Sequence, residues 1–203
     1  FKRFSREPLT SGLTGRELAE KMLHDNGIYN VTVISTPGQL TDHYNPTNQT
    51  VNLSEGVFNS ASVAAAAVAA HECGHAVQHA TAYGPLRLRS ALVPVVSMAS
   101  QVVSWILLAG ILLVQTFPAL LLFGIGLFAM TTLFSVITLP VEIDASRRAT
   151  VWLQRAGITS SREQPMAVSA LRSAAYTYVV AALSSLATLI YYVLIFMGSQ
   201  RDE

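Results

Sequence analysis

The chain has 203 residues, a formal net charge of +1 and a single cysteine, Cys73. Asp, Glu, Lys and Arg make up 12% of it, and none falls between Arg89 and Glu142 or between Arg172 and Arg201, whereas globular proteins carry roughly 25%. This balance excludes a basic nucleic-acid binder, a disordered chain and a disulfide-stapled domain, and it points to a membrane protein.

Taken in chain order, Thr14-Gly15-Arg16-Glu17 reads as a capping box opening a helix that stops at Gly27. Val31 to Leu53 carries β-branched residues punctuated by Pro37-Gly38 and Asn45-Pro46, which predicts a small antiparallel meander. Asn59 or Ser60 then caps a long Ala-rich helix ending at Gly84-Pro85. Its second half is crowded with His71, Glu72, His75, Gln78 and His79, so it is expected at or near the membrane surface rather than across the bilayer.

About 20 apolar helical residues span the hydrocarbon core. The first charge-free run supplies two such stretches, 92–114 and 119–139, separated by a turn at Pro118. The second supplies a third, 175–197. Arg87, Arg89, Arg147, Arg148, Arg155, Arg162 and Arg172 fall on one side and Arg201 on the other, so the Arg-rich side is expected to be cytoplasmic. The division follows: a membrane-proximal part over 1–86, then a membrane part over 87–203 that includes a cytoplasmic helical segment at 140–172. The fold class is mainly α, an integral membrane helical bundle with a small β meander packed by the Ala-rich helix.

His71-Glu72-Cys73-Gly74-His75 is an HExxH sequence on that helix. Residues four apart share a helical face, so both imidazoles can hold one zinc ion, with Glu72 beside it as a general base. A catalytic site needs a third ligand, and His79, Glu142, Asp144 and Glu163 are candidates. His79 lies roughly 12 Å along the axis from His71, too far to share an ion with it. Glu163 sits in a polar loop, and Asp144 points away from Glu142's face to pair with Arg147 or Arg148. Two crossings bring the chain back to the side it left, which puts Glu142 with His71 and His75. The competing reading makes Glu142 a boundary carboxylate paired with Arg147 or Arg148. Cys73 reads as a small buried side chain, and Gly74 as a place where another element comes close.

Asp42-His43-Tyr44-Asn45-Pro46, Thr50-Val51-Asn52-Leu53-Ser54, the run from Ser62 to Ala80 and Leu139-Pro140-Val141-Glu142-Ile143-Asp144-Ala145-Ser146-Arg147-Arg148-Ala149 resemble the YugP family of bacterial membrane zinc metallopeptidases. The resemblance implies zinc at His71, His75 and Glu142, a catalytic Glu72, a zincin-like plan, a plasma-membrane setting and a further transmembrane helix before Phe1. The family is similar in plan to HtpX-type proteases, whose ligand glutamate opens an E-x-x-A-D segment. Here the final position is Ser146, so Ser146 or another residue must brace a histidine. His79, Tyr83 and Arg87 are further candidates for bracing a ligand or touching substrate.

The expected activity is hydrolysis of peptide bonds, in peptides or membrane proteins, by a metal-activated water at the cytoplasmic face of the bilayer. No nucleic-acid partner is expected. The alternative is a non-catalytic membrane scaffold with a closed structural zinc site, its fourth ligand being Asp144 or Cys73.

Overall fold

A computed structural model describes residues 4–200, so Arg201 lies outside the described residues. Two compact units emerge. One comprises the residues up to Leu86 together with Val141–Tyr176, and the other Arg87–Pro140 with the residues from Thr177 onward.

The first unit opens on helix α1, Gly15–Asp25, with its capping box complete. The Glu17 N–H donates to Thr14 Oγ1 at 3.3 Å, and the Thr14 N–H donates to Glu17 Oε2 at 2.9 Å. The helix stops where Gly27 takes a φ of +71°, a conformation that costs glycine little. Leu18, Ala19, Met22 and Leu23 form its buried face.

Three strands follow: β1 (Thr32–Thr36), β2 (His43–Asn45) and β3 (Thr50–Ser54). The small sheet is present, but its connectivity is not that of an antiparallel meander. The order is β1-β3-β2, with β1 parallel to β3 and β2 antiparallel to it. Burial and loop length explain the difference. In β3, Val51, Asn52, Leu53 and Ser54 are all buried, so it takes the centre, while β1 buries one residue and β2 none. The long connection through Pro37-Gly38 imposes no hairpin between β1 and β2. The short turn from β2 to β3 does impose one, because Asn45 Oδ1 accepts from the N–H groups of Thr47 (2.9 Å) and Asn48 (3.2 Å).

A one-turn helix α2, Glu55–Phe58, precedes helix α3, Val63–Ala80. Since α2 already ends on Asn59, the cap of α3 moves to Ser62, whose Oγ accepts from the Ala65 N–H at 3.2 Å. Within the first unit α3 lies at the centre. Its residues Val63–Ala67, Ala69, Ala70, Cys73 and Ala76 are at most 1% exposed, which makes α3 the core of the first unit. The small alanine side chains let α1, α2 and the sheet pack close on several of its sides.

Three long helices complete the chain: α4 (Gly84–Leu112), α5 (Pro118–Arg155) and α6 (Glu163–Ser199). Each is long and apolar enough to cross a membrane. In the second unit, Val103 and Leu107 of α4 meet Leu121 and Ile125 of α5, with Leu189, Tyr192 and Phe196 of α6 packed against them. Thr132 and Ser185 share a hydrogen bond of 2.7 Å between α5 and α6, the small hydroxylated contact that membrane bundles use. Met98, Trp105 and Leu112 remain 72–75% exposed, as lipid-facing side chains would be. Helix α5 continues through Pro140, and its last turns belong to the first unit and its core, through Ala149 and Leu153.

Candidate metal centre

His71 and His75 lie one turn apart on α3, and their rings meet edge to face at 4.8 Å between centroids. Helix α5 sets Glu142 opposite them. Glu142 Oε2 is 3.2 Å from His71 Nε2 and 3.7 Å from His75 Nε2. One ligand atom from each residue lies within 4.8 Å of the others. A tetrahedral ion bound by nitrogen and oxygen at 2.0–2.1 Å holds its donors about 3.3 Å apart. Two imidazoles and one carboxylate at these spacings therefore suit zinc in both geometry and donor type.

The electrostatics agree with that donor set. Burial opposes the charge on Glu142, yet hydrogen bonds and charge from His71 and His75 hold its carboxyl well below the ordinary carboxylate range. Burial alone would lower the His75 imidazole, but Glu142 and the charge of Glu72 raise it above its ordinary value. The site thus carries a fixed negative charge facing two basic nitrogens.

The far sides of the rings are also held. His71 Nδ1 is 3.1 Å from Ser146 Oγ, one turn beyond Glu142 on α5. His75 Nδ1 is 3.0 Å from Gln78 Oε1. A proton kept on each Nδ1 by these contacts would leave both Nε2 lone pairs to a metal ion placed between the rings and Glu142. Glu72 is nearly buried, and its Oε2 accepts the Tyr44 N–H at 3.1 Å.

The other candidates lie elsewhere. His79 Nδ1 pairs with the Tyr44 hydroxyl at 2.8 Å. Tyr83 supports the Arg148 guanidinium, 5.7 Å above its ring, and Arg87 is an exposed residue of α4. Cys73 is fully buried against α1, its Sγ 3.6 Å from the Ala19 carbonyl oxygen, and burial pushes its thiol far up. Glu163 accepts from Thr10 and Ser160 instead of joining the cluster. Asp144 pairs with Arg148 at 2.6 Å and also takes a hydrogen bond from Gln78 at 2.8 Å. Among the described residues, one cluster of three or more His, Cys, Asp or Glu side chains could hold a metal ion, that of His71, His75 and Glu142.

Sequence reasoning gave no role to Gln78 or Tyr44. Gln78 was findable, because it stands three residues after His75 on one helical face. Tyr44 reaches Glu72 and His79 only because β2 lies along α3, which no local pattern encodes.

Comparison with known proteins completes the description. Residues 1–197 match the family model described as "Putative neutral zinc metallopeptidase". The chain is 44% identical over 205 residues to "Putative membrane protease YugP" of Bacillus subtilis (strain 168), an alignment covering 100% of this chain and 89% of that protein. No solved structure matches it. A match of that extent makes the chain a member of this zinc metallopeptidase family.

Proposed function

We propose that the protein is a zinc-dependent membrane endopeptidase whose site opens on the cytoplasmic side of the bilayer. The observation that carries this reading is the convergence of His71, His75 and Glu142 at zinc-ligand spacing, with the Glu72 carboxylate one residue along the same helix. When bound, zinc supplies a Lewis acid that brings the pKa of a coordinated water toward about 7. His71 and His75 present Nε2, oriented by Ser146 and Gln78. Glu72 takes the proton from the attacking water and delivers it to the departing amine.

The position of Glu72 also suggests how a peptide lies. Glu72 accepts the Tyr44 N–H, so the outer edge of β2, the side not paired with β3, runs beside it. An extended peptide adding to that edge would bring its scissile bond next to Glu72. A closed structural site would need a fourth protein ligand, and its two candidates are engaged elsewhere, Cys73 with Ala19 and Asp144 with Arg148 and Gln78. The cytoplasmic assignment rests on the arginines flanking the crossings.

The test is Glu72→Gln in protein purified in detergent, with casein as substrate. Zinc content should stay at the wild-type level while cleavage falls to background. Cleavage that persists in the variant would rule out Glu72 as the base.

A further inference from the structure

Gln78 is fully buried on α3, one turn past Gly74. Its amide nitrogen donates to the Val141 carbonyl oxygen at 2.8 Å and to Asp144 Oδ2 at 2.8 Å, both on α5. These two acceptors dictate which way the amide faces, since the reverse orientation would set its oxygen against two other oxygens. Gln78 Oε1 can then only accept, and its partner is His75 Nδ1 at 3.0 Å. That obliges His75 to carry its proton on Nδ1 and leaves Nε2 free as a donor atom. Asp144 is steadied in turn by Arg148, whose Nε donates to the same Oδ2 at 2.6 Å.

We propose that Gln78 is a positioning residue that fixes the tautomer and ring angle of His75, and that Asp144 acts on the site through Gln78. The chain Arg148, Asp144, Gln78, His75 ties one imidazole on α3 to the backbone and side chains of the helix that bears Glu142. Zinc affinity then depends on residues that never touch the ion. This proposal rests on the reading of His71, His75 and Glu142 as the zinc-holding set.

The experiment is a competitive zinc titration against a chromogenic chelator, on the full chain in detergent, with circular dichroism reporting the fold. Outer partners of metal-bound histidines typically set affinity by 10–100-fold, so Gln78→Leu is expected to weaken zinc binding by about that factor. Asp144→Leu, at a half-buried and more tolerant position, should weaken it by a smaller factor. Asp144→Asn should restore it, because one amide oxygen can accept from both Gln78 and Arg148 as Oδ2 does now. Asp144→Leu added to Gln78→Leu should weaken binding no further.

A folded Gln78→Leu that binds zinc as wild type does would overturn the proposal. If Gln78→Leu fails to fold, unchanged affinity in Asp144→Leu overturns it equally. Wild-type protein with no zinc affinity would sink the metal reading together with this proposal. Normal zinc binding without casein cleavage would sink only the assigned activity.

Discussion

A β-carbon built on Gly74 would stand 2.6 Å from the Ala145 carbonyl oxygen and 3.1 Å from the Ala145 Cα. Helices α3 and α5 thus touch backbone to backbone in the stretch that carries His71 and His75 on one side and Glu142 and Ser146 on the other. Backbone atoms cannot swing aside as a flexible side chain can. Gly74→Ala should therefore destabilise the protein by about 1–3 kcal/mol through overpacking, although alanine is worth about 1 kcal/mol more than glycine inside a helix. The same shift should part Glu142 from the histidines, so zinc affinity falls along with the thermal midpoint. A variant as stable as wild type with full zinc affinity would contradict this account of the contact.

Ser146 Oγ stands 3.1 Å from His71 Nδ1, and when Nε2 is given to a metal and the ring proton sits on Nδ1 this hydroxyl is a neutral acceptor. Charged acceptors form hydrogen bonds roughly twice as strong as neutral ones. Ser146→Ala should weaken zinc binding by about tenfold, the low end for an outer partner, and Ser146→Asp should tighten it. Chelator competition on the three proteins gives the order directly, and a tighter Ser146→Ala would refute the bracing role.

Zinc uptake should strengthen as pH rises. In the metal-free site burial opposes the charge on the His75 imidazole, but Glu142 and Glu72 raise it above its ordinary value, so protons compete with a metal ligand up to a higher pH than at a free histidine. Affinity is then weakest at acid pH and rises as pH climbs through the His75 titration. Titration calorimetry in buffers of different ionisation enthalpy counts the protons. An affinity that does not rise with pH, with no protons released, would contradict this account of His75.

Glu163, the first residue of α6, ties the N-terminal segment to the α5–α6 turn. Its Oε1 accepts the Thr10 N–H at 2.6 Å and the Thr10 hydroxyl at 2.8 Å, and its Oε2 the Ser160 N–H at 2.7 Å. Burial opposes the charge, but the Ser160 and Thr10 hydrogen bonds prevail and lower the carboxyl to about 2 from 4.5. A depressed carboxylate stabilises the fold above its unfolded value and loses that contribution as pH falls toward the folded one. The thermal midpoint should drop between pH 4.5 and 2 in wild type, and Glu163→Gln should flatten that drop. The substitution should also cost about 1–2 kcal/mol at neutral pH. An unchanged pH profile would show that Glu163 contributes nothing to acid stability.

The parts of the fold and site that could be read in advance share one property: they depend on spacing along the backbone. A capping box at Thr14 and Glu17, a run of apolar residues long enough for a bilayer, and two histidines four apart on a helix are each settled by local geometry. Glu142 was reachable by a topological step, because an even number of crossings returns the chain to its starting side. The sheet order was not legible, since it follows from β3 being buried on both faces, and burial is a property of neighbours. The depth of α3 inside its unit was not legible for a related reason. Its polar residues gather near one end, while its alanines let it serve as the core helix of the first unit.

By itself, then, the amino-acid order determined that three stretches are suited to a membrane and that one helical face carries paired imidazoles with a carboxylate beside them. Helical and bilayer periodicities leave no other economical arrangement of those residues. Only the tertiary structure decided which distant carboxylate faces the imidazoles, that Ser146 and Gln78 hold their far nitrogens, and that Cys73 and Glu163 are occupied elsewhere. Those outcomes depend on how closely α3 and α5 approach. That approach is set by the missing side chain of Gly74 against the Ala145 backbone, a contact between residues 71 positions apart in sequence.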